Sequence, residues 1–244
     1  MMQKGIFITG TDTDVGKTII TAGLLNLLRS KGINAVPMKP VQTGCVLQNG
    51  EYSVPDLDFS ISCSGLIYTE EEYNLMSPYR YGPACSPHLA GRLADDFPRI
   101  ENIIDNLKKL EMRKDFIIIE GAGGIMVPLN DNDMMIDLIK ATGYPVVLAA
   151  HTGLGTINHT LLSTQVLRSA GIDIMGVIFN NTKPPSETSA FIREDNVKAI
   201  AEFGSVNVLG VIDYLGDVHN NFDILKECFN QTIDYKTIDR LVFD

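Results

Sequence analysis

Near the N-terminus, the run Gly10-Thr11-Asp12-Thr13-Asp14-Val15-Gly16-Lys17-Thr18 gathers residue types that can do chemistry on phosphate. Small residues let backbone N–H groups converge on an anion, Lys17 can neutralise outer phosphates, and the Thr18 hydroxyl can reach a Mg²⁺ ion. The setting suits the task, because an apolar strand, Gly5–Thr9, leads in and a helical pattern, Lys17–Lys31, leads out. The spelling is irregular. The strict pattern G-x-x-x-x-G-K-[ST] wants glycine at position 11, where this chain has Thr11, and Gly10 falls one place early. Placement between strand and helix therefore carries the phosphate-binding reading.

Other reactive residues stand where further strands should end. Lys39-Pro40-Val41-Gln42-Thr43-Gly44 follows the second apolar run, and carboxyl ends of parallel strands are where such sheets bind ligands. Glu120 closes the run Asp115–Glu120, and a carboxylate there is costly to bury without a partner such as an oxygen-liganded cation. Asp56 and Asp58, two residues apart in a loop, are the other candidate metal ligands, and spacing does not separate them. Gly121-Ala122-Gly123-Gly124 reads as a tight turn where backbone can approach a ligand closely. The segment His151–His159 leaves a strand and opens a helix with free N–H groups suited to a carboxylate. His151 and His159 themselves read as satisfied structural histidines rather than general bases.

Taken together, Gly10–Thr18, the K-P-V-x-S/T-G segment at Lys39–Gly44, the pentapeptide Glu120–Gly124 and Gly153-Leu154-Gly155-Thr156-Ile157-Asn158-His159 resemble the dethiobiotin synthetase family. That family closes a cyclic urea on 7,8-diaminononanoate with CO₂ and ATP, in biotin biosynthesis. The resemblance implies a catalytic set of Thr13, Lys17 and Lys39. It implies an ATP cradle of Asp14, Val15, Gly16, Lys17 and Thr18, with Asn180 and Asp213 at the base. Substrate contacts fall on Thr11, Lys39, Thr43, Gly123, Gly155 and Asn158, the last across a homodimer interface. Mg²⁺ falls to Thr18, Asp56 and Glu120, with Asp58 in reserve. Two departures stand out: Asp14 where many members have glutamate, and Asp213 where the family commonly has proline, which bears on nucleotide preference.

Positioning these stations requires alternating strands and helices. Strand-length runs fall at Gly5–Thr9, Ala35–Lys39, Phe116–Glu120, Val146–Ala150, Ile174–Phe179 and Asn207–Ile212, several apolar throughout. Helical spacing occurs at Lys17–Lys31, His88–Asp95, Ile100–Leu110, Met134–Ala141, Ile157–Ala170, Glu187–Phe203 and Phe222–Gln231. The pattern predicts an α/β fold: one P-loop NTPase-like domain over residues 1–244, with a mostly parallel sheet and helices on both faces. Pro40–Pro87, rich in proline and glycine, reads as long loops with short helices, and Glu70-Glu71-Glu72 as a solvated face.

Composition narrows the classes. With 244 residues, 45% of them hydrophobic, the chain can bury a large core. A formal charge of −10 repels nucleic-acid backbones and anionic lipid, so neither is expected as a partner. Four scattered cysteines suggest free thiols in a reducing cytoplasm, and no apolar run reaches membrane-spanning length. Two other readings are weighed. An amidoligase of the cobyrinic acid diamide type would carry an added glutaminase domain, for which this length leaves no room. A partitioning-type ATPase switch would carry a signature lysine at position 12, where this chain has Asp12.

Overall fold

The computed structural model describes residues 4–48, 50–182, 184, 190–233 and 236–237. The chain runs β1 (Gly5–Gly10), α1 (Lys17–Ser30), β2 (Ala35–Met38), β3 (Val41–Thr43), β4 (Val46–Gln48), β5 (Glu51–Ser53), α2 (Pro55–Ser64) and α3 (Glu70–Met76). It continues through β6 (Tyr79–Tyr81), α4 (Pro87–Ala94), α5 (Ile100–Glu111), β7 (Phe116–Gly124), α6 (Met135–Thr142) and β8 (Val146–Ala150). Last come α7 (Thr156–Ser169), β9 (Ile174–Asn180), α8 (Ala190–Gly204), β10 (Val208–Ile212) and α9 (Phe222–Thr232).

Six strands form one sheet in the order β10-β9-β8-β1-β7-β2, and every neighbouring pair is parallel. Such strands are covered on both faces, which is why they read as unbroken apolar runs. Successive side chains point to opposite faces. Phe7, Ile117, Ile119 and Leu148 meet Ile103 and Leu107 of α5, Leu138 of α6 and Leu167 of α7. Their neighbours Ile6, Ile8, Ile118 and Val147 meet Ile20, Leu24 and Leu28 of α1, Phe59 of α2 and Phe229 of α9. The strand β1 lies at the centre, so the loop leaving it is anchored by the best-buried part of the protein.

The predicted α/β architecture holds, with three local corrections. First, β7 does not turn after Glu120; it continues through the glycines to Gly124, whose partner on β1 is Gly10 after a register shift. Second, Pro40–Pro87 is more ordered than loops: β3 pairs with β6, β4 with β5, and α2 and α3 lie between them. Asp56 and Asp58 thus sit in the first turn of α2, behind Pro55 at a position that needs no N–H donor. Third, within the acidic triplet Glu70 and Glu71 are exposed as expected, but Glu72 is partly buried and closes a capping box at the start of α3. Thr69 Oγ1 accepts from Glu72 N at 3.2 Å and Glu72 Oε2 accepts from Thr69 N at 3.1 Å. Glu71 pairs with Arg113 at 2.6 Å and Glu72 pairs with Lys114, tying α3 to the residues after α5.

The helix expected over Glu187–Phe203 is seen as α8 from Ala190 to Gly204; Glu187, Thr188 and Ser189 lie outside the described residues. Among the described residues, no helix is long and apolar enough to cross a membrane.

Gly23 shows how tightly α1 is held. A Cβ there would meet the Phe229 ring of α9 at 2.4 Å. Alanine is the better helix former by about 1 kcal/mol, but overpacking a core typically costs about 1–3 kcal/mol. Gly23→Ala should therefore lower the melting temperature, and a second change, Phe229→Leu, should recover part of the loss; calorimetry on the two variants checks this. A Gly23→Ala protein more stable than the wild type would show that α1 and α9 are packed loosely.

Candidate active site

The carboxyl ends of β1, β2 and β7 open into one cavity of about 660 Å³. Its lining includes Thr13, Asp14, Gly16, Lys17 and Thr18 from the phosphate loop, Lys39 and Thr43 beyond β2, Asp56 from α2, and Glu120 and Gly123 from β7. Stations separated by up to about a hundred residues in sequence are thus neighbours.

At the centre is an ion cluster. Lys39 Nζ lies 2.6 Å from Glu120 Oε1 and 2.7 Å from Asp56 Oδ2, and it also donates to the Gly121 carbonyl at 3.3 Å. Thr18 Oγ1 donates to the same Glu120 oxygen at 2.9 Å. Burial by itself would lower the pKa of Lys39, but Glu120 and Asp56 outweigh it and hold the ammonium above its ordinary value. Burial likewise pushes the Glu120 carboxyl up, with Asp56 adding to the shift and Lys39 opposing it. Asp56 goes the other way: Lys39 overcomes its partial burial and holds it below the usual carboxylate range. The two carboxyls are thus shifted in opposite directions, Asp56 down by the Lys39 charge and Glu120 up by burial.

Lys17 is drawn down to about 8, first by burial and then by the Lys39 charge. Its Nζ donates to the Asp12 carbonyl of its own loop at 2.9 Å, a bond that a phosphate oxygen could replace. The helix α1 starts directly behind, with Gly16 as N-cap at φ 90°, so its unpaired N–H groups face the loop. Only glycine suits position 16: the conformation is left-handed, and a Cβ would lie 2.0 Å from Asn180 Nδ2. Asp14 also adopts positive φ, at 58°, a conformation that aspartate tolerates better than most residues.

Asp56 and Asp58 point in different directions. Asp58 turns away from the cavity, with Oδ1 accepting from the Tyr73 hydroxyl at 2.7 Å and Oδ2 from Val54 N at 3.1 Å. The oxygens of Thr18, Asp56 and Glu120 converge, and a hydroxyl with two carboxylates is a hard-oxygen set of the kind Mg²⁺ takes. Among the described residues, no group of three or more His, Cys, Asp and Glu side chains is placed to cage a metal. A set this open fits an ion that keeps waters and shares phosphate oxygens.

Some expected residues lie elsewhere. Thr11 lines a separate cavity of about 360 Å³ with Asp12, Gly124, Met126, His159 and Leu162, and Thr13 borders both. Val15 is buried beneath the loop. Gly155 is the N-cap of α7 and Asn158 is exposed on its first turn, so this chain alone does not bring them to the cluster. His151 Nδ1 accepts from Gly153 N at 3.0 Å, a structural use, while His159 is exposed. At the far end, Asn180 is buried against Gly16, and exposed Asp213 accepts a long bond from Asn181 Nδ2 at 3.5 Å.

Sequence reasoning missed Val41, Gln42, Ala84, Ala122 and Thr182 as lining residues. Gln42 sat inside a recognised segment, at its variable position; Ala84 carries no chemical signal at all.

Known proteins resemble this chain in sequence and in fold. The protein-family description "AAA domain" matches residues 4–221. Two curated relatives are the ATP-dependent dethiobiotin synthetase BioD of Clostridium novyi and that of Anoxybacillus flavithermus. The first is 36% identical, with 99% of each chain covered, and the second 37% identical, with 87% of this chain and 93% of the relative covered. Among solved structures, the MinC:MinD cell division protein complex of Aquifex aeolicus superposes with a TM-score of 0.59 at 14% identity, covering 92% of this chain and 85% of that one. A ParA family ATPase from Chlorobium tepidum gives 0.58 at 13%, covering 94% and 98%. At such identities, these two likenesses speak to the P-loop fold alone. Near-complete coverage at over a third identity settles the finer question: the chain belongs to the dethiobiotin synthetase family.

Proposed function

We infer that this chain catalyses ATP-dependent carboxylation and ring closure of 7,8-diaminononanoate with CO₂, giving dethiobiotin, ADP and phosphate in biotin biosynthesis. One observation carries the assignment of the site: the buried Lys39 ammonium held between Asp56 and Glu120 at the rim of the phosphate loop. Asp12 in place of the partitioning-type lysine argues against a nucleotide-driven dimerisation switch.

The reaction runs in three steps. An amine of the substrate adds to CO₂, losing a proton to give a carbamate. A carbamate oxygen attacks the γ-phosphorus and ADP leaves. The second amine then attacks the carbamoyl carbon, the C–O bond to phosphate breaks, and the cyclic urea and inorganic phosphate result. The middle step brings two anions together, so it depends on positioning and charge neutralisation. Lys39 offers its charge beside the carbamate, Lys17 offers its own to the outer phosphates, and N–H groups at the start of α1 hold the chain of phosphates. Thr13 and Thr43, both in the cavity lining, add hydroxyl-bearing side chains to the site. Mg²⁺ held by Thr18, Asp56 and Glu120 would supply further neutralisation at phosphate oxygens. No covalent nucleophile is needed, and no cysteine lines the cavity.

The whole chain, 1–244, acts as one domain. Two copies form a homodimer through the face around α7, where Leu154, Leu162 and Met126 are exposed at 84%, 58% and 55% and Asn158 is available to a partner's substrate. Gly155 and Thr11 belong to the same substrate surface. Asn180 and Asp213 border the base of ATP. A cytoplasmic enzyme suits four unpaired cysteines, and nucleic acid and membrane have no part in the reaction.

Mixing the protein with ATP, Mg²⁺, bicarbonate and the diamine should give phosphate release that requires the diamine; release indifferent to it would sink the assignment. Lys39→Met should lower kcat by about 10²–10³ while nucleotide affinity changes only a few-fold, as measured by steady-state kinetics and calorimetric titration. Asp56→Asn should raise the Mg²⁺ concentration for half-maximal rate at least about tenfold, by loss of a charged ligand. Asp58→Asn should leave that requirement within about twofold, because its carboxylate faces Tyr73; equal shifts in the two variants would reverse the assignment of the metal ligand.

A further inference from the structure

Gln42 is about nine-tenths buried on β3 and lines the main cavity three residues beyond Lys39. Its two amide atoms are distinguishable by chemistry. One of them lies 2.9 Å from the Thr43 carbonyl oxygen, which can only accept, so that atom is the donor Nε2. The other is then Oε1, an acceptor. It is shielded from solvent, and among the described residues no protein donor reaches it.

A buried acceptor without a donor is destabilising, and at the wall of a cavity a bound ligand or an ordered water can complete it. The surroundings limit what the ligand must offer. Lys17 Nζ already donates to the Asp12 carbonyl. Lys39 donates to Asp56, Glu120 and the Gly121 carbonyl. Neither cation is turned to Gln42. The terminal torsion of a glutamine is soft, so the amide plane can swing toward the cavity without leaving its rotamer. A ligand group that presents N–H to this wall would supply the missing bond, whereas a phosphate or carboxylate oxygen would meet another acceptor.

Building on the reaction assigned above, we propose that Gln42 is a specificity-determining residue for the diamine, its amide oxygen accepting a hydrogen bond from an amino N–H of the substrate. The bond selects a nitrogen donor at this wall and holds that amine close to the carbamoyl carbon it must join. No bond is made or broken at Gln42. The position is the variable one of the K-P-V-x-S/T-G segment, so the contact is a property of this chain's own residue. It follows that a site that lacks the acceptor binds the diamine less well without handling ATP differently.

The test compares Gln42→Met, which keeps length and volume but removes both polar atoms, with Gln42→Glu, which keeps an acceptor. Steady-state kinetics is run with ATP, Mg²⁺ and bicarbonate, varying the diamine and then ATP, and the melting temperature of each ligand-free protein is recorded. Gln42→Met should raise the KM for the diamine about tenfold, leave the KM for ATP within about twofold, and melt no lower than the wild type, because an unpaired buried acceptor has gone. Gln42→Glu should return the diamine KM to within about threefold of the wild type. The inference is overturned if the diamine KM of Gln42→Met stays within twofold of the wild type, or if both KM values rise in parallel. It is also overturned if Gln42→Met and Gln42→Glu are equally impaired, since that marks a packing role. Should Gln42→Met fail to fold, Gln42→Ala is read by the same criteria. Wild-type protein that releases phosphate without need of the diamine would overturn the assigned reaction and this inference together, whereas a diamine-dependent wild type beside an unaffected Gln42→Met would remove this inference alone.

Discussion

Burying an ammonium is unfavourable unless carboxylates come with it, and Lys39 satisfies that condition by drawing in Asp56 and Glu120. Three distant pieces of chain are fixed by that single requirement: the end of β2, the first turn of α2 and the middle of β7. Each carboxylate has oxygen beyond what Lys39 takes up, and Thr18 adds a hydroxyl to the same spot. Hard oxygens of this kind are what a divalent cation takes. The electrostatics that keep Lys39 charged while buried are thus also those that would bind the metal beside it.

The sheet converts that local requirement into a site. Because β1 lies between β7 and β8, the loop after it rises from the middle of the protein, flanked by Glu120 on one side. The helix α1 is clamped by α2 and α9, with Gly23 against Phe229 and Phe59 in the same apolar layer. That clamp fixes the N–H groups at the start of α1, where Gly16 lies directly against Asn180 at the end of β9. Rigid placement of donors is what phosphoryl transfer between two anions demands, since little covalent chemistry is left for side chains to do.

How much of this was legible in the sequence follows from which forces act locally. Central strands such as Phe116–Ile119 announce themselves because both faces are buried and every side chain is apolar. The phosphate loop was legible from its position between strand and helix even though Thr11 breaks the usual spelling. The segment from Pro40 to Pro87 was not, because β3 and β6 are three-residue strands whose pairing is made by residues far apart in the chain. One signal there was available and passed over: Asn49-Gly50 between Val46–Gln48 and Glu51–Ser53 is the dipeptide that favours a tight hairpin turn. Direction of side chains was equally invisible. Asp56 and Asp58 have different partners because a helix starts at Pro55 and turns one toward Lys39 and the other toward Tyr73.

At the centre of this account is a site that phosphorylates a carbamate rather than handing the γ-phosphate to water. Isotope labelling distinguishes the two most directly. With C¹⁸O₂ supplied together with the diamine, ATP and Mg²⁺, mass spectrometry of the inorganic phosphate should find one ¹⁸O atom derived from CO₂ in each molecule released, because the bridging carbamate oxygen leaves with phosphorus. Phosphate that carries oxygen from water and none from CO₂ would contradict the account and make the chain a hydrolase of ATP.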